Sequence, residues 1–189
     1  MKRNLVLALT LLLLVSGCIL SSTDPEPDPS PLEPADNILG PHNPYHGQII
    51  IEADSVLNER TGPENLIDGD LNTRWVTAHL NTGPQEGEPY LTWVTIKLPH
   101  PEKVHALVFY TGVAESGAGD PNMIVRSFAL DYRDGDTWRE ACSVELNSER
   151  RCEVRFKAVE AQEWRLRITD PGRYDWSVRA FELELYRQK

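Results

Sequence analysis

Oxygen-bearing side chains crowd the stretch Glu64-Asn65-Leu66-Ile67-Asp68-Gly69-Asp70-Leu71-Asn72-Thr73-Arg74-Trp75. Asp68, Asp70 and Thr73 can turn oxygens inward, and Gly69 permits a backbone bend that other residues resist. Such a loop suits a hard cation that takes roughly six to eight oxygen ligands, with calcium the first choice. An EF-hand loop also opens Asp-x-Asp-x-Asn, but it needs glycine sixth and a bidentate glutamate twelfth. Thr73 and His79 stand at those places, so that reading fails. Composition leaves two readings: a cation loop, or a plain turn whose carboxylates face water.

Other chemistry is sparse. The chain contains no Gly-x-Ser-x-Gly elbow, no His-Glu-x-x-His and no Cys-x-x-Cys, so nucleophilic hydrolysis and zinc chemistry have no visible carrier. Glu182 and Glu184 share one side of a strand rather than flanking a substrate. Cys142 and Cys152 flank a short segment centred on Asn147-Ser148. A hairpin there would set the thiols opposite each other, and a disulfide closing it would contribute about 3 kcal/mol at most; the alternative is two buried thiols.

The elements that must position these residues are strands. In Thr92–Leu98, Val94, Ile96 and Leu98 alternate with polar residues and Trp93; in Trp164–Thr169, Trp164, Leu166 and Ile168 do the same. Further strands are expected at Gln48–Glu52, Val104–Thr111, Ser127–Arg133, Thr137–Val144, Cys152–Phe156 and Val178–Tyr186, with a tight hairpin at Asp134-Gly135. No long amphipathic helix and no internal repeat interrupt them, so the pattern predicts an antiparallel β-sandwich. Trp75, Trp93 and Trp138 are expected in its core. Three connections are longer than strand pairing requires: Val76 to Tyr90, Gly112 to Val125 and Asp170 to Ser177. In the last, Tyr174 and Trp176 offer aromatic faces beside Arg173 and Asp175, a combination that suits sugars, whose CH faces stack on rings while their hydroxyls take hydrogen bonds.

Asn65 to Asp70 with Thr73 and Trp75, Trp93 to Leu98, the hairpin Ser127 to Trp138 and the strand Ala180 to Tyr186 together resemble the discoidin, or coagulation factor V/VIII type C, family. The match runs from about Ile49 to Tyr186. The resemblance implies an all-β, antiparallel jelly-roll sandwich, galactose-binding-domain-like, that binds without catalysis and often holds one structural calcium. It implies that the Asp68 carboxylate, Thr73, Glu182 and the carbonyls of Asn65, Asp70 and Phe181 hold that ion. It also implies a carbohydrate or glycoconjugate ligand, for which His79 and Arg126 are candidates beside Arg173, Tyr174 and Trp176; an ordinary loop histidine is the alternative at position 79. Galactose-binding relatives tend to carry an arginine after the strand ending here in Phe109-Tyr110-Thr111-Gly112, and this chain has none.

Met1-Lys2-Arg3-Asn4, the apolar run Leu5–Val15 and then Ser16-Gly17-Cys18 read as an export signal over residues 1–17. Leu14 to Cys18 resembles a bacterial lipobox, which implies a lipidated Cys18 and an anchor in the outer membrane or at the cell surface; an ordinary signal peptide with a chance cysteine is the alternative. Residues 18–47, rich in proline and acid and free of Lys and Arg, are expected to form an extended, disordered tether, with the folded domain over 48–189. The formal charge is −10; loss of Lys2 and Arg3 makes it −12, and five of the acids lie in the tether, leaving about −7 on the domain. Such a balance argues against nucleic acid and against electrostatic docking on anionic lipid. The sequence therefore predicts a non-catalytic, membrane-tethered glycan-binding module, or else an envelope lipoprotein whose sandwich serves a protein partner.

Overall fold

The computed structural model describes residues 29–78, 90–112, 124–172 and 176–189, together with the backbone of a short strand at 19–20. Eight strands run in the order β1 (Ile19–Leu20), β2 (Ile50–Ala53), β3 (Trp75–Val76), β4 (Thr92–Thr111), β5 (Ser127–Asp134), β6 (Thr137–Glu145), β7 (Arg151–Asp170) and β8 (Arg179–Arg187). Every pairing is antiparallel, and two layers arise because β4 and β7 are long enough to serve both. The first half of β4 pairs with β2 and with the second half of β7, which continues to β5 and β6. The second half of β4 pairs with the first half of β7 and with β8, and β8 carries β3. The result is the expected jelly-roll sandwich, in which the larger sheet, extended beyond β6 by the two-residue β1, faces a smaller one.

Sequence alternation explains the layers. Val94, Ile96 and Leu98 of β4, Phe128 and Leu130 of β5 and Trp164, Leu166 and Ile168 of β7 are buried on the inner side of the large sheet. Leu107 and Phe109 of β4 with Leu183 and Leu185 of β8 join them in one core, where Phe109 meets Phe128 edge-on at 5.0 Å. The ladder between β4 and β7 shifts register between Lys97 and Glu102, where Pro99 and Pro101 cannot donate to it. The strand bends there instead of ending, so two expected strands are one. The β5–β6 hairpin turns on Gly135 and Asp136, with Gly135 at φ +58.

Four expectations change. Trp75 is fully buried, but Trp93 and Trp138 are only half-buried on the outer side of the large sheet: Trp93 is out of phase with Val94, and Trp138 is turned outward by the register shift that separates it from the buried Cys142. The domain also starts before Gln48: Ile38 and Leu39 are fully buried in the core, Ile38 N–H donates to Leu185 O at 2.8 Å, and Asn37 Oδ1 accepts from the N–H groups of Leu39 and Leu185. Leu32 packs on Ala106, Val108 and Tyr186. From Pro29 onward the proline-rich stretch is thus fastened to the sandwich. Finally, the hairpin expected between Cys142 and Cys152 does not form.

Its failure is topological. Cys142 lies on β6 opposite Leu130 and Cys152 on β7 opposite Phe109, so the segment between them crosses from one sheet to the other. Both residues are buried and no disulfide joins them; burial also pushes the Cys142 thiol up, which suppresses thiolate chemistry. After unfolding without reductant, both cysteines should be alkylated by a maleimide, as read by peptide mass, and neither should react in the native protein. Protection that persists in denaturant would reveal a disulfide.

Candidate functional site

Two buried anchors hold the oxygen-rich loop. A 3-10 turn at Pro63–Leu66 buries Leu66 and Ile67 on one side, and on the other Trp75 is buried with its indole N–H donating to Ser55 O at 3.0 Å. The Asn65 amide closes the base by donating to Arg60 O and Arg74 O at 2.9 and 2.8 Å. Between the anchors, Asp68 accepts from Asp70 N–H at 2.8 Å and from the Thr73 hydroxyl at 2.6 Å. The Asp70 carbonyl accepts from Thr73 N–H and Oγ1 at 3.1 and 2.9 Å. Asp70's carboxylate turns outward instead, onto Asn72, whose donors hold its pKa below the usual range.

Glu182 reaches this loop from the far end of the chain. Gly69, at φ +76, donates its N–H to Glu182 Oε2 at 3.1 Å across 113 positions of sequence. Phe181 is the extra residue where the β4–β8 ladder shifts between Tyr110↔Glu182 and Thr111↔Ala180; such a bulge takes a backbone carbonyl out of regular pairing. Asp68, Thr73 and Glu182 of the expected set therefore lie around one loop, joined through Gly69. Glu182 is only 3% exposed, and burial first and the Asp68 charge second push its pKa up to about 8. Two carboxylates facing each other in a poorly hydrated site repel unless a cation joins them. Among the described residues no three His, Cys, Asp or Glu side chains meet, so a cation here would take two carboxylates and draw its other ligands from hydroxyl and carbonyl oxygens. That all-oxygen donor set fits a hard divalent ion and suits zinc or copper poorly.

A second region is built by convergence of loops at one end of the sandwich. Val125 N–H donates to Thr111 Oγ1, Thr111 N–H to Arg150 O, Asn147 N–H to Arg126 O, and Arg126 N–H to Asp170 O. Thr77 joins the same end through Val178, by Thr77 N–H to Val178 O and Val178 N–H to Thr77 Oγ1. The connections after β3, β4 and β7 thus leave the sandwich together. Gly172, at φ +72, lies so close to the Ile124 carbonyl that no side chain fits there.

Of the candidate ligand residues, His79, Arg173 and Tyr174 lie outside the described residues. Arg126 is exposed, and its Nε lies 4.0 Å from Asp170 Oδ2, a long ion pair beside the loop end. Trp176 is half-buried rather than a bare platform: it packs against the core and stacks on Tyr90, with ring centroids 5.9 Å apart and planes at 28°. It does so at φ +55, a backbone region that non-glycine residues seldom occupy. Tyr90 was not singled out from sequence, although it closes the first of the three long connections. Glu184 accepts a hydrogen bond from the Tyr186 hydroxyl at 2.9 Å.

A jelly-roll sandwich with clustered loops at one end, its first loop bridged to its last strand, defines a galactose-binding-domain-like recognition fold. The chain belongs to the F5/8 type C domain family, whose model matches residues 50–182. Among solved structures it is similar to the family 32 carbohydrate-binding module of Streptococcus pneumoniae EndoD, at 22% identity and a TM-score of 0.61, over 80% of this chain and 99% of that one. It is also similar to the Clostridium perfringens NanJ family 32 module solved with galactose, at 15% identity and TM-score 0.57 over 75% and 95% of the two chains. A C. perfringens GH89 family 32 module solved with GalNAc-β-1,3-galactose matches at 19% identity and TM-score 0.56, over 74% and 96%. No curated protein sequence matches the chain.

Proposed function

We propose that this protein is a non-catalytic glycan-binding module whose ligand seats at the loop end, against Trp176 and Arg126 and with His79, Arg173 and Tyr174 contributed by the flanking connections. The observation that carries this reading is the meeting of the described ends of three long connections at one end of the sandwich, where loops can vary without disturbing the core. Family membership and the saccharides present in two similar structures support the ligand class. Structural calcium is part of the proposal. Asp68, Thr73, Glu182 and the carbonyls of Asn65, Asp70 and Phe181 would hold it, and the ion would neutralise the two carboxylates and tie the first loop to the last strand.

The segment ending Leu14-Val15-Ser16-Gly17-Cys18 supports export and lipid attachment at Cys18, which would display the module on the outer membrane or cell surface. Stable anchoring needs more than one acyl chain, and a lipoprotein carries enough. Retention in affinity gels containing neutral polysaccharides tests the binding claim. Trp176→Ala should weaken retention by about tenfold, the loss typical of a buried aromatic anchor, with melting measured alongside because the ring also packs on the core. Equal retention of mutant and wild type would remove the loop end from consideration. If neither is retained on any glycan, a protein-binding role in the envelope takes its place.

A further inference from the structure

The outer side of the larger sheet is more organised than a solvent face requires. Asp131, 2% exposed, accepts from Arg165 at 2.7 and 3.0 Å and from Arg167 at 3.0 and 3.1 Å, and Arg167 also reaches Glu140 at 3.1 Å. Cross-strand register explains the meeting, since Thr95, Arg165, Asp131 and Glu140 form one row across four strands. The indole of Trp138 lies against this network, with the Arg165 and Arg133 guanidinium carbons 4.6 and 5.4 Å from its centroid. The ring is therefore held by two cation–π contacts, and one of the two arginines is itself pinned by a buried carboxylate.

Beside the ring runs a trough. One depression of about 370 Å³ is lined by Ile50, Glu52, Thr95, Lys97, Trp138 and Glu163. A second of about 370 Å³, lined by Arg133, Gly135, Gln162 and Glu163, shares Glu163 with it. Each lies within the size range of small-ligand sites. Its charges largely cancel: Lys97 pairs with Glu163 at 3.0 Å, and Asp131 and Glu140 balance Arg165 and Arg167. A nearly neutral trough has no field with which to select an ion, a nucleic acid or a charged peptide. It does offer a fixed aromatic plane, carboxylate acceptors, an ammonium donor and a hydroxyl.

We propose that this trough is a second saccharide-binding surface, taking a short neutral oligosaccharide with one pyranose on Trp138 and its hydroxyls on Glu52, Thr95, Lys97 and Glu163. A rotamer locked beforehand loses little entropy when the sugar lands. The surface uses residues distinct from those of the loop end, and either can exist without the other. Affinity electrophoresis of the full chain in mild detergent, through gels containing galactomannan or mixed-linkage β-glucan, tests it. Trp138→Ala should lower retention about tenfold on at least one polysaccharide. Trp138→Phe should restore most of the retention, and Glu163→Gln should lower it without shifting the melting temperature.

The outcomes separate the two surfaces. Loss in Trp138→Ala and Glu163→Gln, with Trp176→Ala retained, establishes the trough and counts against the loop end. Loss in Trp176→Ala alone, with both trough variants like the wild type, overturns the trough and leaves the loop end standing. A wild type that neither gel retards overturns the trough inference as stated. If Trp138→Ala fails to fold, Glu163→Gln decides the matter in the same way.

Discussion

Replacing Ile38 and Leu39 together by alanine should lower the free energy of unfolding by roughly 4–8 kcal/mol, since truncating one buried aliphatic side chain typically costs about 2–5 kcal/mol. Domains of this size are stable by only about 5–15 kcal/mol, so the double variant should lie at the edge of unfolding at room temperature. The reason is local. Both side chains are fully buried in the main core, and the backbone around them is fastened to β8 through Leu185 and held further by His46, whose ring lies 2.7 Å from Leu39 O, and by the Asn43 amide on Ile38 O. A chain starting at Gln48 should fare worse than the double variant, because it also loses the Asn37 hydrogen bonds and the Lys189–Asp36 ion pair at 2.9 Å. Urea unfolding measures both; a change below about 1 kcal/mol would mean that the arm rests on the sandwich without supporting it.

The second large effect is expected from calcium. At a free concentration about a hundred times its dissociation constant, an ion that binds only the folded state adds about 2.7 kcal/mol, which corresponds to a rise of roughly 5–10 °C in melting temperature. Glu182→Gln should abolish that rise. It should not lower the melting temperature in chelator, because a glutamine oxygen can still accept the Gly69 N–H while the charge that faces Asp68 across a buried space is removed. Asp68→Asn separates two roles: it should also lose the calcium response, yet keep a weaker form of the bonds to Thr73 and the Asp70 N–H. Melting curves of the wild type that superimpose in calcium and in chelator would sink the ion site and leave the fold assignment untouched.

The two predictions bear on opposite ends of one structural idea. The arm closes one side of β8 at Leu185, and the oxygen-rich loop closes another at Glu182, only three positions away. The last strand is thus where the arm around Ile38 and the oxygen-rich loop are both secured. Folding can complete only after β8 arrives, a dependence on distant contacts expected of sandwiches.

What was legible in the sequence is what short-range periodicity and turn chemistry encode. Alternation over Thr92–Leu98 and Trp164–Thr169, and the Asp134-Gly135 signal, fixed strand type and facing because a strand has only two sides. The same parity, applied strictly, places Trp93 outside, since it is out of phase with Val94 and Ile96; tryptophan's affinity for cores argued otherwise and was the weaker guide. The pairing of Asp68 with Glu182 was reached through family resemblance and not through spacing, because no local pattern joins residues more than a hundred positions apart.

Only the tertiary structure decided the rest. Ile38-Leu39 is an apolar pair within a stretch dominated by proline and acid, and average composition hid a plug that the core requires. Thr92–Leu98 and Val104–Thr111 read as separate strands, yet one strand bends through Pro99 and Pro101 because the missing donors fall where the ladder is already out of register. Cys142 and Cys152 are close in sequence and sit on different sheets, since a turn's length does not say whether the chain folds back beside itself or crosses to the opposite layer. The order of residues set each strand's inward and outward sides; the packing of one sheet on the other chose which strands, loops and charges would meet.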